Sequence, residues 1–309
     1  MSTRGHQVDR AVAVGGGHGL SRSLRALSTI ADEVVAVVTV ADDGGSSGRL
    51  RRDLDVLPPG DLRMAVTALA HRSRLAEVVG YRFPKGELGG HSLGNLILVA
   101  LQDLHDGDLV AALDELAMHL GVAGRVLPCT TEHVTLCASS AAGGVRGQAA
   151  IAGTARLRRV WLSPPAPAAT PEALTAIAEA DLIVLGPGSL YTSLLPNLLV
   201  PGIANALQQT AAPVLLVANL REQPGETEGM SLVDHLDVLA DHIPEVRIDG
   251  LLAHDGPDPI GPGRVLVATD PRIAEHVEAV HTVDLVDGRD GHDPDALARA
   301  LVDLSHRLR

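Results

Sequence analysis

Apolar positions along the chain recur with two periods. Short, nearly continuous β-branched runs, such as residues 8–14 and 33–40, read as parallel strands covered on both faces. Longer stretches with apolar residues three and four apart read as helices. The first fifty residues predict one βαβ unit: a strand over 8–14, a helix over 20–30 and a strand over 33–40, joined by a right-handed crossover. A loop over 51–60, broken by Pro58 and Pro59, leads to a helix over 62–76. Residues 78–90 read as irregular, 92–103 and 108–120 as helices, 126–128 and 133–139 as strands, and 143–160 as a small β region. After a Pro/Ala-rich surface connection at 164–171 the α/β rhythm returns. Helices are expected at 171–179, 231–241, 271–280 and 293–308, with an interrupted one at 190–209. Strands are expected at 181–185, 213–219, 246–252 and 264–268. The alternation predicts an α/β fold, a Rossmann-like, doubly wound, mostly parallel sheet in three layers. Residues 1–309 read as one domain with a small irregular and helical insertion around 50–125.

Composition narrows what this fold is for. Hydrophobic residues make up 46% of the chain, enough for a sizeable core, yet aromatic residues make up 1%. The core must therefore be Leu, Val, Ile and Ala, and nucleic-acid recognition by base stacking lacks its platforms. A formal charge of −13 disfavours nonspecific binding to nucleic acid and to anionic membrane. Lys85 is the single lysine, so any anion grip relies on arginine and backbone N–H groups. Cys129 and Cys137 are too few for a disulfide framework and are not spaced as a zinc knuckle, which fits a reducing cytosol. The polar first ten residues hold no apolar signal core, and no apolar run reaches membrane-spanning length. A cytoplasmic protein is expected.

Candidate chemistry gathers where strands end. Gly15-Gly16-Gly17-His18-Gly19-Leu20 follows the first strand and opens a helix, so its backbone can approach an anion beneath a positive helix dipole. It begins like a dinucleotide fingerprint, but Leu20 stands where the third glycine belongs, which counts against an NAD-type ligand. Asp42-Asp43-Gly44-Gly45-Ser46-Ser47-Gly48-Arg49 follows the second strand. Its acids suit ribose hydroxyls or Mg²⁺, with Asp43 as the metal candidate, and its Gly and Ser donors suit phosphate. Asp42 and Asp43 are also the candidates for any catalysis. Asp61 marks a helix start, where capping and ligand binding are both open, and Arg63 can grip phosphate with its planar fork. Gly90-His91-Ser92-Leu93-Gly94 matches a hydrolase nucleophile elbow without the strand that motif needs. His91 and Asn95 read better as polar groups lining a site from a helix start. Gly186, Pro187, Gly188, Ser189 and Ser193 repeat the strand–glycine–helix pattern, and Asn219 closes the next strand. Donor-rich loops at several strand ends, with no complete catalytic signature, point to a phosphate-bearing ligand.

These motifs, continued by Gln223-Pro224-Gly225-Glu226-Thr227 and Val233-Asp234-His235, resemble the YvcK branch of the YvcK/CofD-like family over almost the whole chain. The resemblance implies a Rossmann-like fold. It also implies a regulator that binds a nucleotide sugar, typically UDP-N-acetylglucosamine, and is linked to cell shape, wall synthesis and gluconeogenic growth. The CofD branch is instead a Mg²⁺-using transferase that makes the phospholactyl precursor of a deazaflavin coenzyme. The Asp-Asp-Gly-Gly-Ser-Ser-Gly run follows the YvcK pattern. The chain departs from many relatives at His18, at Met64 and in a short, tyrosine-free segment at 253–263. The expected partners are a nucleotide sugar or another nucleotide-type ligand and copies of the same chain, with no nucleic acid and no membrane insertion. Mg²⁺ is the one cofactor considered.

Overall fold

The computed structural model describes residues 7–70, 74–287 and 291–308. Its strands are β1 (Val8–Gly15), β2 (Ala31–Val38), β3 (Gly124–Pro128), β4 (Thr135–Ser140), β5 (Gly143–Arg146), β6 (Leu157–Ser163), β7 (Leu182–Leu185), β8 (Val214–Val217), β9 (Gly250–His254) and β10 (Ala279–Val283). The first helices are α1 (Gly17–Leu27), α2 (Gly45–Leu54), α3 (Pro59–Leu69), α4 (Arg74–Gly80), α5 (Leu93–Leu104) and α6 (Leu109–His119). They are followed by α7 (Gln148–Ala152), α8 (Pro171–Ala178), α9 (Leu195–Leu198), α10 (Pro201–Gln209), α11 (Leu232–His242) and α12 (Pro294–Arg307).

Seven strands form one sheet in the order β10-β9-β8-β7-β1-β2-β3, and every pairing in it is parallel. Its centre explains the continuous apolar runs. Ala13 and Val14 of β1 and all four residues of β7 have no exposed surface, because helices cover both faces. The chain builds outward from β1 through β2 to β3, then returns to the other side of β1 with β7 and builds the opposite way. The order thus reverses between β1 and β7, and in such sheets ligands bind at that reversal, beyond the carboxyl ends of the strands. A second sheet, β5-β4-β6, is antiparallel and joins the same hydrophobic core through Leu136, Ala138, Val160 and Leu162.

Several expected elements shift. The 51–60 loop is partly helical: α2 starts at Gly45, and burial of Ser46, Ser47 and Leu50 outweighs the poor helix propensity of its Gly/Ser start. The helix expected at 62–76 starts earlier, with Pro59 at its first position, and ends at Leu69; residues 71–73 of that expectation lie outside the described residues. The strand expected at 264–268 is reduced to a single bridge between Val265 and Arg221. The helix expected at 271–280 is one 3₁₀ turn, Pro271–Glu275, because the residues after it pair with β9 as the edge strand β10. Among the described residues, no single helix is long and apolar enough to cross a membrane.

Candidate functional site

Two glycine turns meet at the reversal point. β1 ends at Gly15, and α1 begins at Gly17 with no side chain capping its first turn. The opening N–H groups of a helix have no intrahelical partner, and the dipole adds positive charge there. Gly17 has a φ of +66°, which favours glycine. The second turn, Gly186-Pro187-Gly188, follows β7 and presses against the first. A Cβ on Gly19 would lie 2.2 Å from the Pro187 carbonyl oxygen, so only glycine permits this approach. Asn219, just past β8, clamps the second turn from both sides. Its Oδ1 accepts from Gly188 N–H at 2.9 Å and its Nδ2 donates to the Gly188 oxygen at 2.8 Å. Ser23 of α1 donates to the Gly186 oxygen at 2.6 Å.

The two turns differ in what meets the helix start. After the second turn the chain forms a π-helical segment, Leu190–Leu194, followed by α9. The buried Glu226 faces that start. Its Oε1 accepts from Tyr191 N–H at 2.7 Å and Thr192 N–H at 3.1 Å, and its Oε2 accepts from the Thr192 hydroxyl at 3.1 Å. Burial raises the Glu226 pKa, and these hydrogen bonds oppose the rise. The protein's own carboxylate thus stands where an anion would bind. Ser189 accepts from Gln223 Nε2 at 3.0 Å, and Ser193 sits within 3.5–3.6 Å of the Cβ positions of Gly16 and Gly188.

In front of α1 lies a cleft of about 810 Å³. Its lining holds Arg22, Arg25, Arg63, Arg82 and Arg221 against one carboxylate, Glu222, so the cleft is basic in a protein of net charge −13. Arg63 is buried, and its pKa falls to about 10, chiefly through desolvation and then through repulsion by Arg82. Arg22 pairs with Asp287 at 3.1 Å. Arg221 Nε donates to the Pro259 oxygen at 2.9 Å and so braces the segment 259–262 that forms the far wall.

Beside the cleft the second loop builds a supporting wall. Arg63 Nε donates to Asn95 Oδ1 at 3.2 Å, and Asn95 Nδ2 donates to Ser46 Oγ at 3.0 Å. The Ser46 hydroxyl also hydrogen-bonds with His91 Nδ1 at 3.0 Å. Burial and then Arg49 lower the His91 pKa. Arg49 donates to the Gly89 oxygen at 2.7 Å. Asp61 lies under the first turn, where a Cβ on Gly16 would come within 2.6 Å of its Oδ2. Its pKa rises to about 7, through desolvation first and the neighbouring Asp42 second, while Gly17 N–H holds the rise back. The Asp42 pKa is raised by burial.

The family profile described as 2-phospho-L-lactate transferase CofD matches residues 11–279. A Mycobacterium tuberculosis protein named "Putative gluconeogenesis factor" is 47% identical over 95% of this chain and 89% of its own length. A Listeria monocytogenes protein named "Gluconeogenesis factor" is 39% identical over 95% of this chain and 94% of its own. The chain belongs to the YvcK/CofD-like family. Within that family a crystal structure of a UPF0052 member from Bacillus halodurans superposes with a TM-score of 0.89 at 37% identity, covering 96% of this chain and all of the other. The family fold is thereby the fold of this chain.

Of the residues singled out in the sequence, His18, Gly19, Arg63, Pro187, Gly188 and Asn219 line the cleft. Gly15, Gly16 and Gly17 shape the turn behind it. Leu20 is core, packed against Gly15, and only its N–H faces the helix start. Gly48 serves packing, since a Cβ there would fall 1.8 Å from the Asp43 oxygen. Ser47 supports α3 by accepting from Gly60 N–H at 3.1 Å. Asp43 Oδ1 accepts from Ala149 N–H at 2.8 Å and so ties down the start of α7. Beyond burial, Asp42 is the like-charge neighbour that raises the Asp61 pKa, and Asp43 in turn raises that of Asp42, so a cation such as Mg²⁺ beside Asp42 would relieve repulsion within this acidic group. Among the described residues no three His, Cys, Asp or Glu converge as a protein-only metal site. The sequence reading missed Arg22, Arg25 and Arg82 and did not name Arg221 as a site residue, while the segment 253–263, singled out as a departure from relatives, supplies the wall at 259–262. His18, Arg22 and Arg25 recur at i, i+4 and i+7, a readable helix face that would have flagged the first two.

Proposed function

We propose that this protein binds a nucleotide sugar of the UDP-N-acetylglucosamine class in the cytoplasm. In this reading it serves as a regulator of cell shape, wall synthesis and gluconeogenic growth and catalyses no reaction. The observation that carries the proposal is the basic cleft at the strand reversal. Arginines and the amides of α1 converge there in an otherwise acidic protein, a combination that suits a diphosphate. The volume suits a ligand of nucleotide-sugar size. The diphosphate sits on the N–H groups of residues 17–20 and on Arg63, and the sugar extends toward Arg221 and the 259–262 wall. The YvcK-like motifs and the gluconeogenesis-factor names of the relatives support the regulatory role.

Calorimetric titration with UDP-N-acetylglucosamine, with UDP and NAD as controls, tests it. Selective micromolar binding, about −8 kcal/mol, is expected, and Arg63→Gln should weaken it. Affinity no better than that for NAD would overturn the reading. Asp42 and Asp61 favour a second reading, a transferase of the CofD kind. There they would hold Mg²⁺ against the ligand phosphates, and the ion would neutralise phosphate charge. Turnover of a nucleotide-linked phosphoester that survives Asp42→Asn unchanged would remove it.

A further inference from the structure

The small antiparallel sheet carries a surface that the cleft does not use. From position 133 to position 171 the chain has no Asp or Glu, although the protein has 38 acidic residues. The same stretch holds Arg146, Arg156, Arg158, Arg159 and the only tryptophan, Trp161, all of them exposed. Strand register places most of them together. Cys137 in the middle strand pairs with Arg146 on one side and Trp161 on the other, and the next outward residue, Ser139, pairs with Arg159. These residues share one face, because side chains alternate along a strand. The opposite face, with Leu136, Ala138, Val160 and Leu162, is buried. Arg158 is the extra residue where the register shifts between Ser139 and Ser140, a bulge that aims one more guanidinium outward.

This face lacks internal neutralisation. Among the described residues, Arg156, Arg158 and Arg159 form no ion pair. Arg146 donates to the Cys137 sulfur at 4.0 Å. Asp241 of α11 acts on the same His242 as Arg159 without pairing with it. Trp161 leaves 42% of its surface exposed. The platform is also held rigid. Val160 N–H donates to His242 Nε2 at 3.0 Å, Arg51 donates to the Val134 oxygen at 2.7 Å, and Asp43 anchors α7 between the strands.

We propose that this face docks a short acidic segment of a partner protein, with Trp161 as the apolar anchor. An exposed tryptophan on one face with arginines is the composition that carries binding energy at protein interfaces. Guanidinium forks grip carboxylates in pairs. The charge of the rest of the molecule selects the kind of partner. A nucleic acid or an anionic bilayer extends beyond the screening length of about 8–10 Å and meets the acidic flanks, whereas a short segment stays within the basic patch. The proposal stands whatever fills the cleft.

Trp161 is its own reporter, since no other tryptophan contributes to the emission. The probe is a ten-residue peptide alternating Glu and Val, with a Lys and Val peptide as control. The Glu peptide should shift the emission saturably, and salt should weaken the effect. Arg158→Glu combined with Arg159→Glu should reduce affinity at least about tenfold, while Arg74→Glu on α4 should leave it unchanged. Both sites are exposed, and circular dichroism confirms the fold of each variant. A flat emission at millimolar peptide overturns the proposal, as does an undiminished response of the charge-reversed variant. A saturable response to phosphatidylserine vesicles or single-stranded DNA, without one to the Glu peptide, overturns it too.

Discussion

The turns that follow β1 and β7 are built alike, with a buried parallel strand, glycines and a helical start, yet only the first offers its amides to the cleft. At the second, Glu226 already fills the anion position with three hydrogen bonds. At the first, Asp61 stands close by, but burial and, second, the neighbouring Asp42 raise its pKa to about 7. Around neutral pH it therefore carries only part of its negative charge. A glycine-rich turn thus creates a potential for anion binding, and the nearest carboxylate decides whether a ligand meets it.

Removing the internal anion breaks the contrast most strongly. Glu226→Ala leaves two buried N–H groups and a hydroxyl without an acceptor, so unfolding free energy should fall by about 3 kcal/mol in a denaturant titration. Added sulfate should stabilise this variant more than the wild type, because the second turn then resembles the first. Equal stabilisation would refute the equivalence of the two turns. Forcing the turns apart comes next. Gly19→Ala places a methyl against the Pro187 oxygen and should cost about 2 kcal/mol of stability, with loss of UDP-N-acetylglucosamine binding in calorimetry. Wild-type affinity in a destabilised variant would separate packing from binding.

A pH titration sharpens the role of Asp61. Its folded pKa of about 7 lies above the ordinary 3.8, so the folded state binds this proton more tightly than the unfolded chain. Its contribution to stability is greatest below pH 4, declines as pH rises to about 7 and is level above that. Thermal unfolding of Asp61→Asn should lack this decline. Ligand affinity of the wild type should weaken between pH 6 and 8 as the carboxylate becomes charged, and that of Asp61→Asn should not. An unchanged pH profile in the variant would assign the titration to another group.

Much of the fold was legible because buried parallel strands leave continuous apolar runs. The ends of β1, β2, β7 and β8 could be read from the glycines and polar residues that follow them. The β10 edge of the sheet was not legible. The start of β10, Ala279 and Val280, follows a 3₁₀ turn and reads as helix, and only pairing with β9 makes it a strand. The Gly/Ser start of α2 read as a loop for the converse reason, since burial rather than propensity holds it.

The sequence by itself determined the class of the fold, the sites of the glycine turns and the reliance on arginine and backbone donors. These are properties of local pattern and composition. Only the tertiary structure decided which turn is open, because Glu226 reaches the second helix start from a separate loop. The tertiary structure alone also set Arg82 and Arg221 in one cleft with Arg63, and Asp61 beside Asp42. Charge interactions depend on distance through space, and residues far apart in the chain become neighbours only when the sheet reverses its order between β1 and β7.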